Sequence, residues 1–180
     1  MLLWVVLLAG CVAAPPSHPD EYLDPNTAAL VSTVSSPWVF AREHQDVAAN
    51  SRQYATVAAV SIDRSGRYDY VLLVYLWSTV DPRLGIDRHP AQNLLLLADD
   101  RAIRLVRDVR SLRAVGISNP LHAPDHMPGR PRIYHTDRET LQFVAHARRV
   151  RLALEGDDDP RPFDVWEDGR SALAQLAAGH

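Results

Sequence analysis

The residues with the most chemical potential lie in one proline-rich loop, His122-Ala123-Pro124-Asp125-His126, followed in the next segment by His135. Imidazoles and a carboxylate are the ligand types that hold zinc. His122, Asp125, His126 and His135 are therefore the candidate metal ligands, and with a metal they would serve a metal-binding or metal-dependent hydrolytic protein. Their spacing matches neither the helical H-E-x-x-H arrangement nor a Cys/His finger, and a loop between Pro124 and Pro128 lacks a rigid face to fix ligands. The competing reading, solvated loop histidines, is the one this missing context favours. No nucleophile elbow, phosphate-cradling glycine loop or dinucleotide fingerprint occurs, so no catalytic residue is assigned and no cofactor is expected.

Two charge patterns stand outside that loop. Arg101, Arg104, Arg107, Arg110 and Arg113 recur every third residue. Three is neither the helical nor the strand period, so the set drifts around a helix or alternates across a strand, and no single basic stripe is expected. Were several of these guanidinia presented together, lipid A phosphates or an acidic protein partner would be their targets. Asp157-Asp158-Asp159 lacks the alternating ligands and closing glutamate of a calcium loop and reads as a solvated hairpin tip.

The N-terminus carries a different signal. Met1 to Cys11 is an uninterrupted apolar run ending in Ala9-Gly10-Cys11, about half the roughly 20 residues a membrane-spanning helix requires, so it fits a signal-peptide core. Leu8-Ala9-Gly10-Cys11 resembles the lipobox of bacterial lipoproteins. The resemblance implies cleavage before Cys11 and lipidation of its thiol with a diacylglyceryl group, and two or more acyl chains anchor a protein stably to a membrane. It also implies a cell-envelope location facing the periplasm. Val12, rather than aspartate, after the cysteine resembles lipoproteins sorted to the outer membrane. No Lys or Arg precedes the run, so the basic segment of such a leader is expected upstream of Met1. Cys11 is the sole cysteine, which leaves no intramolecular disulfide.

The chain of 180 residues is long enough for one core of its own, and its 47% apolar content is that of a globular protein. A net charge of -3 supplies no field to draw the chain onto nucleic acid. All 19 basic residues are arginine, a bias in keeping with the codon usage of a GC-rich genome. Residues 1–10 are read as the signal peptide, 11–25 as the lipidated cysteine and a proline-rich extended tether, and 26–180 as a single globular domain.

Within that domain Asn26 or Thr27 is expected to cap a short helix through Val31, with a strand at Trp38-Val39-Phe40 and one or two helical turns between Arg42 and Ser51. The clearest element is a hairpin. Tyr54 to Ile62 and Tyr68 to Trp77 are rich in β-branched and aromatic residues and flank Asp63-Arg64-Ser65-Gly66-Arg67, where the glycine supplies positive φ. From Val71 onward the second arm is apolar on both faces, which predicts a central strand covered on each side. A second hairpin joins Asn93–Ala98 to Arg101–Val106 through Asp99-Asp100. A strand at Arg132-Ile133-Tyr134, a helix capped by Thr136 or Asp137, strands at Arg149–Glu155 and Phe163–Trp166, and a last helix with Leu173 and Leu176 complete the chain. The absence of regular strand-helix alternation predicts an α+β fold, mainly antiparallel sheet with a few short peripheral helices.

The expected function is that of a membrane-anchored, non-catalytic interaction or assembly module of the envelope, engaging a protein partner through a sheet edge or an aromatic surface. Trp38, Tyr68, Tyr70, Trp77 and Trp166 are the aromatic candidates. The alternative is the metal centre on the histidine loop.

Overall fold

The computed structural model describes residues 18–43, 51–80, 92–125 and 130–179. The strands are β1 (Asp20–Leu23), β2 (Leu30–Thr33), β3 (Trp38–Glu43), β4 (Arg52–Arg64), β5 (Arg67–Ser78), β6 (Leu94–Ala98) and β7 (Arg101–Leu105), then β8 (Arg107–Asp108), β9 (Arg132–Thr136), β10 (Val150–Leu154) and β11 (Phe163–Glu167). The helices are α1 (Leu112–Val115), α2 (Arg138–His146) and α3 (Arg170–Ala178).

The β4–β5 hairpin is the spine of the molecule. Its connection is the two-residue turn Ser65-Gly66, with φ of 58° and 84°, and Gly66 N–H donates to Asp63 Oδ1 at 2.7 Å. Positive φ at both positions matches the right-handed twist of the flanking strands. The turn fixes the register from Arg64 opposite Arg67 to Gln53 opposite Ser78. β4 also pairs with β3 along its first half and with β2 along its second. The sheet then runs β7-β6-β10-β11-β3-β4-β5-β9-β8, and every pairing among the described residues is antiparallel. Its two outer strands, β7 and β8, are separated in the chain by Val106 alone, so the sheet curls until it is nearly a barrel.

Alternation along the strands sorts the side chains into an inner and an outer set. Phe40, Ala59, Leu72, Tyr134, Leu152 and Phe163 are inward and at most 3% exposed. Burying each large apolar side chain contributes roughly 1.5–3 kcal/mol. Leu141 and Val144 of α2 and Leu173 and Leu176 of α3 close over this interior. Asp137, not Thr136, caps α2 by accepting from Thr140 N–H at 2.7 Å, and Glu139 sits in the first turn where the helix dipole favours an anion.

Most of the sequence expectations hold: both hairpins, the strand at residues 132–134, the two later helices, and the mostly antiparallel architecture. Three do not. The helix through Val31 is instead a turn followed by β2, because Val31 and Thr33 pair with Ile62 and Val60 of β4, and this tertiary pairing outweighs the local capping signal. The cap-like group is Asp24, whose Oδ1 accepts from Asn26 and Thr27 N–H at 3.0 and 3.1 Å. Residues 20–23, expected as tether, form β1 paired to β2, so the fold includes chain before Asn26. The acidic tip is also more than a solvated turn: Arg42, buried beneath it, donates to Asp157 Oδ2 at 2.9 Å and to the carbonyls of Asp159 and Arg161. Of the turns expected between Arg42 and Ser51, residues 44–50 lie outside the described residues, and Arg42 and Glu43 end β3. Residues 1–10, expected as a signal peptide, and Cys11 also lie outside them. No helix among the described residues is long and apolar enough to cross a membrane.

Candidate functional site

One face of the β4–β5 hairpin looks away from the barrel interior. Its opposed pairs, in order, are Tyr54–Trp77, Thr56–Tyr75, Ala58–Leu73, Val60–Val71, Ile62–Asp69 and Arg64–Arg67. The face therefore grades from aromatic, through aliphatic, to charged.

Its middle is covered. Ser111 caps α1 through a bond from Ala114 N–H, and Gly116, at φ 109°, ends it by donating to the carbonyls of Leu112 and Arg113. The chain then lays Val115 and Ile117, 4% and 0% exposed, into the core. Tyr75 donates its hydroxyl to the Leu121 carbonyl at 2.8 Å, and burial pushes its phenol well above the usual tyrosine range. Asp24, itself buried, pins this covering segment by accepting Ser118 N–H and Oγ–H, each at 2.7 Å. Those bonds hold its carboxyl well below the ordinary carboxylate range. β5 is thus covered on both sides, as its sequence requires.

Where the cover ends, a groove of about 430 Å³ opens beside Tyr54, Trp77 and Trp166. Tyr54 stacks on Trp77 with ring centres 4.3 Å apart and planes at 16°, and Trp166 of β11 meets Tyr54 edge-on at 6.2 Å. Such ring pairs add about 0.5–1.5 kcal/mol beyond area burial, which makes the cluster a rigid platform. Trp77 Nε1–H is fixed by Thr56 Oγ1 at 3.0 Å, and the Arg52 guanidinium lies 4.5 Å from the Trp166 ring centre. Even so, Trp166 remains 51% exposed. His122, Pro124, Asp125 and Glu167 also line the groove, and His122 sits in the left-handed region at φ 53°.

The sequence-derived metal ligands divide between two places. His122 and Asp125 share this groove, and His126 lies outside the described residues. His135 stands on β9 opposite Val71, six positions along β5 from Trp77 and therefore about 20 Å away along the strand. Its Nε2 shares a hydrogen bond of 2.6 Å with Asp108 Oδ2. Among the described residues no group of three His, Cys, Asp or Glu side chains is placed to hold a metal ion. Of the aromatic candidates, Trp77 and Trp166 meet in the groove. Trp38 and Tyr70 are buried in the barrel, and Tyr68 is exposed elsewhere. Tyr54 is the member absent from that candidate set, although a hairpin turn at Ser65-Gly66 already places it opposite Trp77.

The arginine series is dispersed, as its period implies. Arg101 lies over Phe143, Arg104 pairs with Glu155 at 2.9 Å, Arg113 sits on α1, and Arg107 is half-buried on β8. Comparison with known proteins finds no match: no family model, no curated protein and no solved structure is significantly similar to the chain. A functional reading accordingly stands on geometry.

Proposed function

We propose that this protein is a non-catalytic recognition module of the bacterial cell envelope, tethered to a membrane through lipid on Cys11, and that the groove beside Tyr54, Trp77 and Trp166 receives a segment of a partner protein. The observation that carries the reading is the platform itself: stacked, hydrogen-bonded rings bordering an open groove, with Trp166 half exposed. Rigid tryptophan and tyrosine side chains lose little entropy on contact and dominate the energetics of protein interfaces. Thr56 Oγ1, on β4 in the groove lining, accepts from Trp77 Nε1–H and so helps to fix the platform. The Asp125 and Glu167 carboxylates at its border would favour a partner segment carrying basic residues beside an apolar anchor.

The test is photocrosslinking in intact cells, with the reactive residue placed at Glu167 in one variant and at Arg104, on a distant exposed ion pair, in another. A discrete protein adduct from position 167, absent from 104 and lost on adding Trp77→Ala, supports the reading; no adduct, or the same adducts from both positions, refutes it. The anchor is tested separately by Cys11→Ser, which should release the protein from the membrane fraction and leave its leader uncleaved.

A further inference from the structure

At the turn end of the same hairpin face lies a second hollow, of about 510 Å³, whose floor is Ile62, Val71 and Val115 and whose walls are Arg64, Arg67, Asp69, Arg110 and His135. Its charges are organised. Asp108, with only 7% of its side chain exposed, accepts from Arg110 Nη2 at 2.6 Å, from Arg110 Nε at 2.9 and 3.0 Å, and from Arg110 N–H at 2.9 Å, while Oδ2 also meets His135 Nε2 at 2.6 Å. Both of its oxygens are used. The Arg110 bonds, and then the one to His135, hold the Asp108 carboxyl well below its usual range, so it stays an anion and acts as a clamp that sets Arg110 and His135 side by side, 3.2 Å apart.

The remaining acid, Asp69, reaches Arg64 Nη1 only at 3.4 Å. Arg67 makes no ion pair or side-chain hydrogen bond among the described residues, although it stands directly opposite Arg64 across the turn. Three guanidinia therefore face two carboxylates, one of which is saturated, and His135 adds a further cation when protonated. A place has also been cleared for this arrangement: Gly116 carries no side chain where the Arg64 guanidinium lies, and a Cβ there would collide with it. Guanidinium forks match the oxygens of a phosphate two at a time, and an aliphatic floor that excludes water strengthens the contact.

From this juxtaposition of Arg64, Arg67 and Arg110 around an apolar-floored hollow, we infer a binding site for a phosphate group, separate from the aromatic groove and independent of the function proposed for it. The group belongs either to a soluble phosphorylated molecule or to a phosphate-bearing lipid headgroup, and the chemistry of recognition is the same for both.

The full chain carrying Cys11→Ser, which removes the lipid, allows both sources to be tested. Inorganic phosphate is titrated calorimetrically at low ionic strength, and cosedimentation is measured with phosphatidylcholine vesicles with and without phosphatidic acid. Expected is saturable phosphate binding or phosphatidic-acid-dependent sedimentation, weakened at least tenfold by Arg67→Ala/Arg110→Ala and unchanged by Trp77→Ala. Phosphate binding without any response to phosphatidic acid assigns a soluble ligand; the reverse assigns a headgroup. Absence of both, or binding that survives the double substitution, overturns the site. Should the double variant not fold, Arg67→Ala alone, at an exposed position without an ion pair among the described residues, must still weaken binding severalfold.

Discussion

The two ends of the outward β4–β5 face make a direct comparison, because strand pair, register and covering segment are shared and only the side chains change. At the open end the pair Tyr54–Trp77 stacks and presents neutral rings; at the turn end Arg64–Arg67 and Ile62–Asp69 present charge over an aliphatic floor. Between them the face is sealed by residues 112–121 and carries no site. A regular sheet thus yields two unlike concavities wherever a third segment stops covering it. The scaffold supplies position, and the cover decides which parts of the face are open to ligands.

Substitution in the shared middle of the face should disturb both ends most severely. Leu73, fully buried between the ends, is the largest lever. Leu73→Ala should lower unfolding free energy by about 2–5 kcal/mol in chemical denaturation, and both ends should lose binding together. Next, Trp77→Ala should cost the partner complex about 2 kcal/mol or more, read as lost crosslinking from position 167, with phosphate binding intact. Gly116→Ala acts on the opposite end. Positive φ and the collision with Arg64 should destabilise by about 1–3 kcal/mol and weaken phosphate binding, while the aromatic groove keeps its partner.

Acid should affect the cover before it affects the rings. Asp24, Asp108 and Asp159 all titrate below the ordinary range in the fold, Asp159 at about 2, because each accepts hydrogen bonds as a carboxylate. Their unfolded values are about 3.9. A depressed folded pKa gives stability that is complete above the unfolded value and lost as pH falls through the folded one. Thermal midpoints should therefore fall steadily from about pH 4 downward, and Asp24→Asn should flatten that slope. Smallest of all, Arg104→Ala removes an exposed pair with Glu155 and should leave both the midpoint and both binding assays unchanged.

Much of this was legible in the residues. Alternating β-branched and aromatic side chains announced the hairpin, Gly66 located its turn, and the two-sided apolar run from Val71 marked β5 as central. The helix caps near Asp137 and the Asp99-Asp100 turn were equally local signals. What local signals missed were features created by partners distant in sequence. Residues 28–31 look helical in isolation, yet β4 offers them an edge. β1 is a strand because β2 lies beside it, and Asp24 is a hub because Ser118 arrives from far along the chain. The histidines show the same limit: close in sequence, His122 and His135 stand toward different ends of β5, and only Arg110 of the five evenly spaced arginines joins Arg64 and Arg67.

The sequence by itself determined the elements whose causes are short-range: turn φ angles, caps, alternation and the apolar length of each strand. The tertiary structure decided how β7 and β8 bring the sheet almost to closure, which stretch of hairpin is covered, and which charges and rings share a hollow. The division has a physical reason. Backbone preference and hydrophobic period act over a few residues, whereas a binding surface is defined by which distant segments exclude water from one another and which leave it in place.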